Sequence, residues 1–253
     1  MSSKKRARFA IRHDVVLNTL VLRLDGMYRV LSSAPGGGGL VRARSILNHQ
    51  VAANPVTTGT QKAQGSKAVP DWRDPARFLG KLADGLGAER PIVGLMTAVP
   101  MTRLVHRRET KDGVWIECFC TVGVTNAVKA GEPVRWDLKT RGRRRYGTIN
   151  IILVTNATLT ASAMVGAVQV ATESKTAVLV RRCIPSASGR GTATGTGTDA
   201  VVVASGGSGR HRIQYSGTHT RIGSMIGRLV TRCVGEGLDR WLRWRRTSLS
   251  DPV

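Results

Sequence analysis

Thr148 and Asn150 stand at the mouth of an apolar run, GTINIILVTNATL, from Gly147 to Leu159. Polar groups taken out of water cost stability unless something pairs with them. A Thr-x-Asn step entering a buried strand therefore needs a local hydrogen-bond role or a chemical one. Three other stretches carry more Gly, Ser, Thr and Asn than packing requires. LSSAPGGGG holds Ser32, Ser33, Gly37 and Gly38; TVGVTNAVKAG holds Thr121 and Asn126; ATGTGTDA holds Thr194, Thr196, Thr198 and Asp199. YSGTHT adds Thr218 and His219. A Thr, Asn, Thr, Asp set without metal ligands suits attack on an amide or ester. A threonine serves as nucleophile, asparagine or backbone N–H groups hold the oxyanion, and hydroxyls with a carboxylate orient the rest. The general base is the missing part. Only one of the five histidines, His219, lies in these stretches. The other source of a base is the threonine's own amine, freed by cleavage of the bond before it.

Each residue also has a plain structural reading. Thr148 reads as a strand residue, Asn126 and Thr160 as helix caps, and Asp199 as a cap or an arginine partner. Glu173 and Lys175 read as a solvated pair, and His219 as a turn residue. GGGG is no P-loop, because no Lys-Ser/Thr follows at the needed spacing, and the context of a dinucleotide fingerprint is missing.

The elements that must position these residues follow from pattern. Residues 15–33 read as two strands around an Asp25-Gly26 turn. LVRARSILNHQV has helical spacing. Residues 53–71 and 184–198 read as loops over the site. A helix starts at Asp74-Pro75 and stops at Gly87. Strands are expected at 92–98, 102–109, 114–123, 148–155 and 200–204. One helix carries Met164, Ala167, Val168, Ala171, Val178 and Leu179, and the last begins near Thr218. The order predicts one compact α/β or α+β domain whose sheets are covered by helices. Its bounds are read as 14–246, between a basic arm at 1–13 and a tail at 247–253.

With 253 residues and 41% hydrophobic content the chain has ample material for a core. No apolar run is long enough to cross a bilayer and no signal-peptide core follows the basic start, which predicts a cytoplasmic protein. Four cysteines make no disulfide framework and no zinc site, and read as small buried hydrophobes. The net charge of +23 raises nucleic-acid binding. However, the excess sits in the N-terminal arm, in KTRGRRR at 139–145 and at the C-terminus, and aromatics make up only 4%. A stacking platform is poorly supplied, so a solvated basic surface is the preferred reading, with no specific nucleic-acid and no membrane partner.

Taken in order, LSSAPGGGG with ILNHQV, VGLMTAVPM, TVGVTNAVKAGEP, GTINIILVTNATLTASAMVGAVQVATESKTAVL, ATGTGTDAVVVA and YSGTHTRIGSMIG resemble the CbiZ-type adenosylcobinamide amidohydrolases. The resemblance covers roughly residues 20–240. It implies hydrolysis of the amide between a corrin carboxyl side chain and aminopropanol, giving adenosylcobyric acid and 1-amino-2-propanol in corrinoid salvage. It implies no cofactor, the cobalt being carried by the substrate. A fainter likeness, of GTINIILVTNATL to the start of the second chain of DmpA-type self-processing aminopeptidases, implies an αββα sandwich. It also places Thr148 on the nucleophile and Asn126 near the oxyanion-stabilising asparagine. On these likenesses the expected catalytic set is Thr148, Asn126, Asn150, Thr198 and Asp199. The expected substrate-binding set is Ser32, Ser33, Gly37, Gly38, Thr194, Thr196, Thr218 and His219. Non-catalytic corrinoid or nucleotide binding is the rival reading.

Overall fold

Side-chain alternation sorts the strands of the computed structural model into two packed layers. The model describes residues 11–51, 74–133, 147–189, 191–206 and 211–250. The strands are β1 (Ile11–Val16), β2 (Thr19–Ser32), β3 (Gly39–Gln50), β4 (Ile92–Thr97), β5 (Val105–Lys111), β6 (Val114–Val122), β7 (Ala127–Val128), β8 (Ile149–Thr155), β9 (Thr158–Leu159), β10 (Gly195–Thr196), β11 (Ala200–Ser205) and β12 (Arg212–Ile213). The helices are α1 (Pro75–Gly85), α2 (Ala161–Arg181) and α3 (Arg221–Ser250). The main sheet runs β4-β3-β2-β11-β8-β6-β5, with β1 on β2.

The long strand β2 joins the layers. Its first half pairs with β1, and its second half pairs with β11. Between Arg23 and Tyr28 its register against β3 shifts. Asp25-Gly26 therefore sits in a bulge inside one strand and not in a hairpin turn. The turn is Leu17-Asn18, both at positive φ (46° and 58°), the backbone that matches a tight hairpin to strand twist. LVRARSILNHQV is also a correction: it forms β3, not a helix, with Ile46 facing one layer and Leu47 the opposite one.

Three apolar clusters define four layers. Leu20, Leu22, Ile46, Val93, Leu95, Phe119, Ile152, Val154 and Val202 meet between β1-β2-β3-β4 and β5-β6-β8-β11. The alternate residues of the second layer, Cys118, Cys120, Ile149, Ile151, Leu153, Val201 and Val203, pack under α2 and α3. Val21 and Leu47 pack under α1 through Ala83. The fold is a mixed αββα sandwich in one domain, as sequence order and likeness implied. Burying whole Leu, Ile, Val and Phe side chains on both faces of the strands contributes about 1.5–3 kcal/mol each. That burial explains continuous apolar runs such as IILV and AVVV.

Helix ends follow their local chemistry. Asp74 Oδ1 accepts the Arg77 N–H at 2.9 Å and Pro75 opens α1. Thr160 Oγ1 accepts the Ala163 N–H at 3.1 Å, so Thr160 caps α2. Asn126 caps no helix; it lies in the turn before β7. Cys118, Cys120 and Cys233 are buried, but Cys183 is exposed in the turn that ends α2. The predicted loop at 53–71 and the KTRGRRR stretch fall outside the described residues, as does most of the basic arm.

Candidate active site

The candidate site forms where β8 begins. Residues 148, 150 and 152 alternate with 149, 151 and 153, so Thr148 and Asn150 share the face directed at the opposite sheet. β8 is central, flanked by β6 and by β11. Asn150 therefore enters the inter-sheet layer, where it is 1% exposed. Its Nδ2 donates to Asn48 Oδ1 at 3.0 Å and to the Met96 carbonyl at 2.9 Å. Asn48 Nδ2 in turn donates to Thr121 Oγ1 at 3.2 Å. Asn48 comes from β3, Met96 from β4 and Thr121 from β6, so this network ties the two sheets together beneath Thr148. It resolves the cost of placing an asparagine in the core.

Thr148 is buried, and its hydroxyl donates to the Thr198 carbonyl at 2.8 Å, with Asn150 Oδ1 at 3.3 Å as the longer alternative. Both neighbours are carbonyl-type acceptors. Among the described residues no histidine or carboxylate hydrogen-bonds the Thr148 hydroxyl. On the other side, Thr198 Oγ1 donates to the Gly147 carbonyl at 3.2 Å. That carbonyl belongs to the peptide bond before Thr148. Gly147 is held where only glycine fits: a Cβ there would lie 2.6 Å from Asn126 Oδ1 and 2.8 Å from the Gly123 carbonyl. Asn126 Oδ1 is buried with no hydrogen-bond partner among the described residues.

A buried ion pair anchors the start of the strand. Lys175 Nζ lies 2.6 Å from Asp199 Oδ2, with both side chains at or below 10% exposure. Asp199 Oδ1 accepts the Ile149 N–H at 2.9 Å and the Thr196 hydroxyl, and Oδ2 accepts the Thr196 N–H at 3.0 Å. The carboxylate thus fixes the residue after Thr148. Gly195 packs over the pair, since a Cβ there would sit 2.7 Å from Asp199 Oδ2 and 2.8 Å from Lys175 Nζ. Lys175 is a correction to the solvated reading. It extends the buried stripe Ala167, Ala171, Val178 of α2, and its spacing of four from Ala171 was the available signal. Asn48 carries no such signal, because the helix-like spacing of ILNHQV hides its place on β3.

A cavity of about 360 Å³ lies in front of Thr148 and Asn150. Its wall includes Ser33, Met96, Asn126, Gly147, Thr148, Asn150 and Thr198. The structure thus brings Thr148, Asn126, Asn150 and Thr198 together, with Asp199 directly behind. Of the expected substrate-binding set only Ser33 lines the cavity. Ser32 is buried and its Oγ accepts the Ala34 N–H. Gly37 and Gly38 fold the β2–β3 turn, where a Cβ on either would meet a carbonyl at 2.5 Å. Thr194 ties Ala130 and Thr176 to the β7–β10 pair, and Thr196 serves Asp199. Thr218 and His219 are exposed in the turn before α3 and line no part of this cavity.

The cysteines contribute no nucleophile here. Hydrogen bonding to Cys233 and burial push the Cys118 thiol up, and burial pushes up Cys120. Among the described residues one group has metal-ligand geometry. His13, His106 and Glu117 present ligand atoms within 4.8 Å of one another. The Glu117 carboxylate there is already engaged by His106 at 2.8 Å and Arg108 at 3.0 Å.

Residues 3–246 match the family model described as CbiZ, adenosylcobinamide amidohydrolase. The chain belongs to this family. Its relatives include an uncharacterized protein of Methanocaldococcus jannaschii, 31% identical over 87% of this chain and 85% of its own length. An adenosylcobinamide amidohydrolase of Methanosarcina mazei is 32% identical over 65% of this chain and 75% of its own. Solved structures are more distant. A Burkholderia β-aminopeptidase matches at 13% identity and TM-score 0.41, covering 92% of this chain and 79% of that one. A Pyrococcus horikoshii protein matches at 10% identity and TM-score 0.41, covering 92% and 83%. At that level they carry no inference about this chain. No described helix is long and apolar enough to cross a membrane.

Proposed function

We propose that the protein hydrolyses the amide joining aminopropanol to a carboxyl side chain of the corrin ring in adenosylcobinamide, releasing adenosylcobyric acid and 1-amino-2-propanol for corrinoid salvage. The family supports the substrate class. The observation that carries the chemistry is the Thr148 hydroxyl, held in a cavity that the Asn126 side chain also lines.

In this reading Thr148 Oγ1 attacks the amide carbonyl, and its proton passes to the leaving nitrogen as the C–N bond breaks. An ester on Thr148 and free aminopropanol result; water then cleaves the ester, returning the hydroxyl and the corrin carboxylic acid. Asn126, through its side-chain amide N–H, donates to the oxyanion formed in both halves. Asn150, Thr198 and Asp199 position the nucleophile. The cobalt travels with the substrate, and each step is carried by protein groups and water.

The base is the α-amine of Thr148, freed by prior cleavage of the Gly147–Thr148 bond. The same hydroxyl attacks the Gly147 carbonyl, the C–N bond breaks to an ester with the amine released, and water completes the cut. The Thr198 hydroxyl on that carbonyl oxygen supports this step, as does the lack, among the described residues, of another base on Thr148. Intact mass under denaturing conditions tests it: fragments 1–147 and 148–253 are expected, and a single full-length chain in active protein overturns it. Incubation of the full chain with adenosylcobinamide tests the reaction. Adenosylcobyric acid is the expected product; saturable binding without product would leave a binding module.

A further inference from the structure

We propose that a second cavity, walled by Trp241 and Trp244 of α3, is the subsite for the adenosyl group of the substrate, an inference that rests on the corrinoid reading above. The cavity has about 460 Å³ and is lined also by Thr125, Ala127, Ser186 and Arg245. The two indoles are three residues apart on one helix, so they present to the same side. Trp241 is 6% exposed and Trp244 45%, one forming the floor and the other a rim.

Position links this cavity to the catalytic one. Asn126 lines the first cavity, while Thr125 and Ala127 line the second. One turn therefore separates them. Size leaves a role for a second subsite. At about 360 Å³ the catalytic cavity is near the lower end of the range that holds drug-sized ligands. It has room for the scissile amide and its neighbours but not for a macrocycle and a nucleoside as well. The remainder of the substrate has to lie beyond its mouth, and its one flat aromatic part is the adenine.

The chemistry of the walls fits that part. Bases stack on aromatic side chains whatever their hydrogen-bond pattern, and Thr125 with Arg245 supplies polar groups for a ribose. The walls are also held in place. The Arg103 guanidinium sits 4.2 Å from the centre of the Trp244 ring and that of Arg245 5.5 Å from Trp241, which orients both indoles. The Ala187 N–H donates to the Ala127 carbonyl at 2.7 Å, and Glu132 accepts from the Ser186 and Ser188 hydroxyls at 2.6 and 2.9 Å. Because the adenosyl group is bound to the cobalt, seating it here fixes the corrin ring over the turn and directs its amide side chain toward Thr148.

The test uses the full chain, wild type, Trp244→Ala and Trp244→Phe. Calorimetric titration with 5′-deoxyadenosine is run beside kcat/KM for adenosylcobinamide and for cobinamide lacking the adenosyl group. Expected are saturable 5′-deoxyadenosine binding that Trp244→Ala abolishes and Trp244→Phe largely restores. The ratio of kcat/KM, adenosylated over bare, should fall roughly five- to hundredfold in Trp244→Ala. Wild-type turnover with no nucleoside binding and an unchanged ratio would overturn the subsite and leave the function standing. Trp244-dependent binding without turnover of either corrinoid would keep the subsite and overturn the function. Neither binding nor turnover would overturn both.

Discussion

Replacing Asp199 with alanine should destabilise the protein more than replacing Lys175 with methionine, although the two residues form one ion pair. Asp199→Ala leaves the Lys175 ammonium buried at 9% exposure with its carboxylate gone. Removing one partner of a buried pair costs about 3–5 kcal/mol. Lys175→Met leaves a carboxylate that still accepts from the Ile149 N–H, the Thr196 N–H and the Thr196 hydroxyl. Its cost should be about 1–3 kcal/mol, that of an incompletely satisfied buried group. In a chain of this length each kcal/mol moves Tm by roughly 2–4 °C. Asp199→Ala should therefore melt roughly 6–20 °C below wild type and Lys175→Met roughly 2–12 °C below, the smaller loss of the two. Scanning calorimetry reads both. Asp199→Ala also frees the Ile149 N–H, so Thr148 loses its fixed position and kcat should fall about a hundredfold even in protein assayed well below its Tm. Equal melting temperatures for Asp199→Ala and wild type, or a larger loss for Lys175→Met, would refute the claim that this carboxylate anchors the strand start.

Other perturbations separate position from chemistry. Gly147→Ala places a Cβ 2.6 Å from Asn126 Oδ1 and 2.9 Å from the Thr125 nitrogen; about 1–3 kcal/mol of lost stability and loss of turnover are expected, and a urea midpoint equal to wild type would contradict it. Asn126→Ala should lower kcat about 10²–10³-fold with KM little changed, as steady-state kinetics would read; a change confined to KM would make Asn126 a ground-state contact only. Stability should also fall on mild acidification. Burial lowers the His49 pKa below the ordinary 6.5, so from 6.5 down to its folded value the unfolded chain binds a proton that the folded chain refuses. Urea midpoints measured down that window should drop in the wild type and drop less in His49→Gln; parallel curves would remove His49 as the cause.

Much of the second sheet was legible, because its central strands are buried on both faces and read as largely apolar runs: IILV for β8, AVVV for β11 and VWIECFCTV, broken only by Glu117 and Thr121, for β6. The first sheet was read less well. β3 carries Arg42, Arg44, Asn48 and His49 among its apolar residues, and its spacing mimicked a helix until pairing with β2 and β4 decided it. The Asp25-Gly26 dipeptide carries turn chemistry, yet a bulge uses it equally well. At the site, Thr148, Asn150, Thr198 and Asp199 were visible as polar residues where packing needs none. Asn48 and Lys175 were hidden, because their roles depend on contacts 102 and 24 residues away, with Asn150 and Asp199. The glycines at 37 and 38 have the composition of a ligand loop but serve a close backbone approach to Ile92 and Ala34.

The most direct test of the account is the initial rate of 1-amino-2-propanol release from adenosylcobinamide by wild-type protein, Thr148→Ser and Thr148→Ala, measured side by side. Wild type should release the amine, Thr148→Ser should retain measurable turnover, and Thr148→Ala should fall at least about a thousandfold while remaining cooperatively folded. Turnover by Thr148→Ala within a few fold of wild type would contradict the assignment of the nucleophile and, with it, the mechanism built on this cavity.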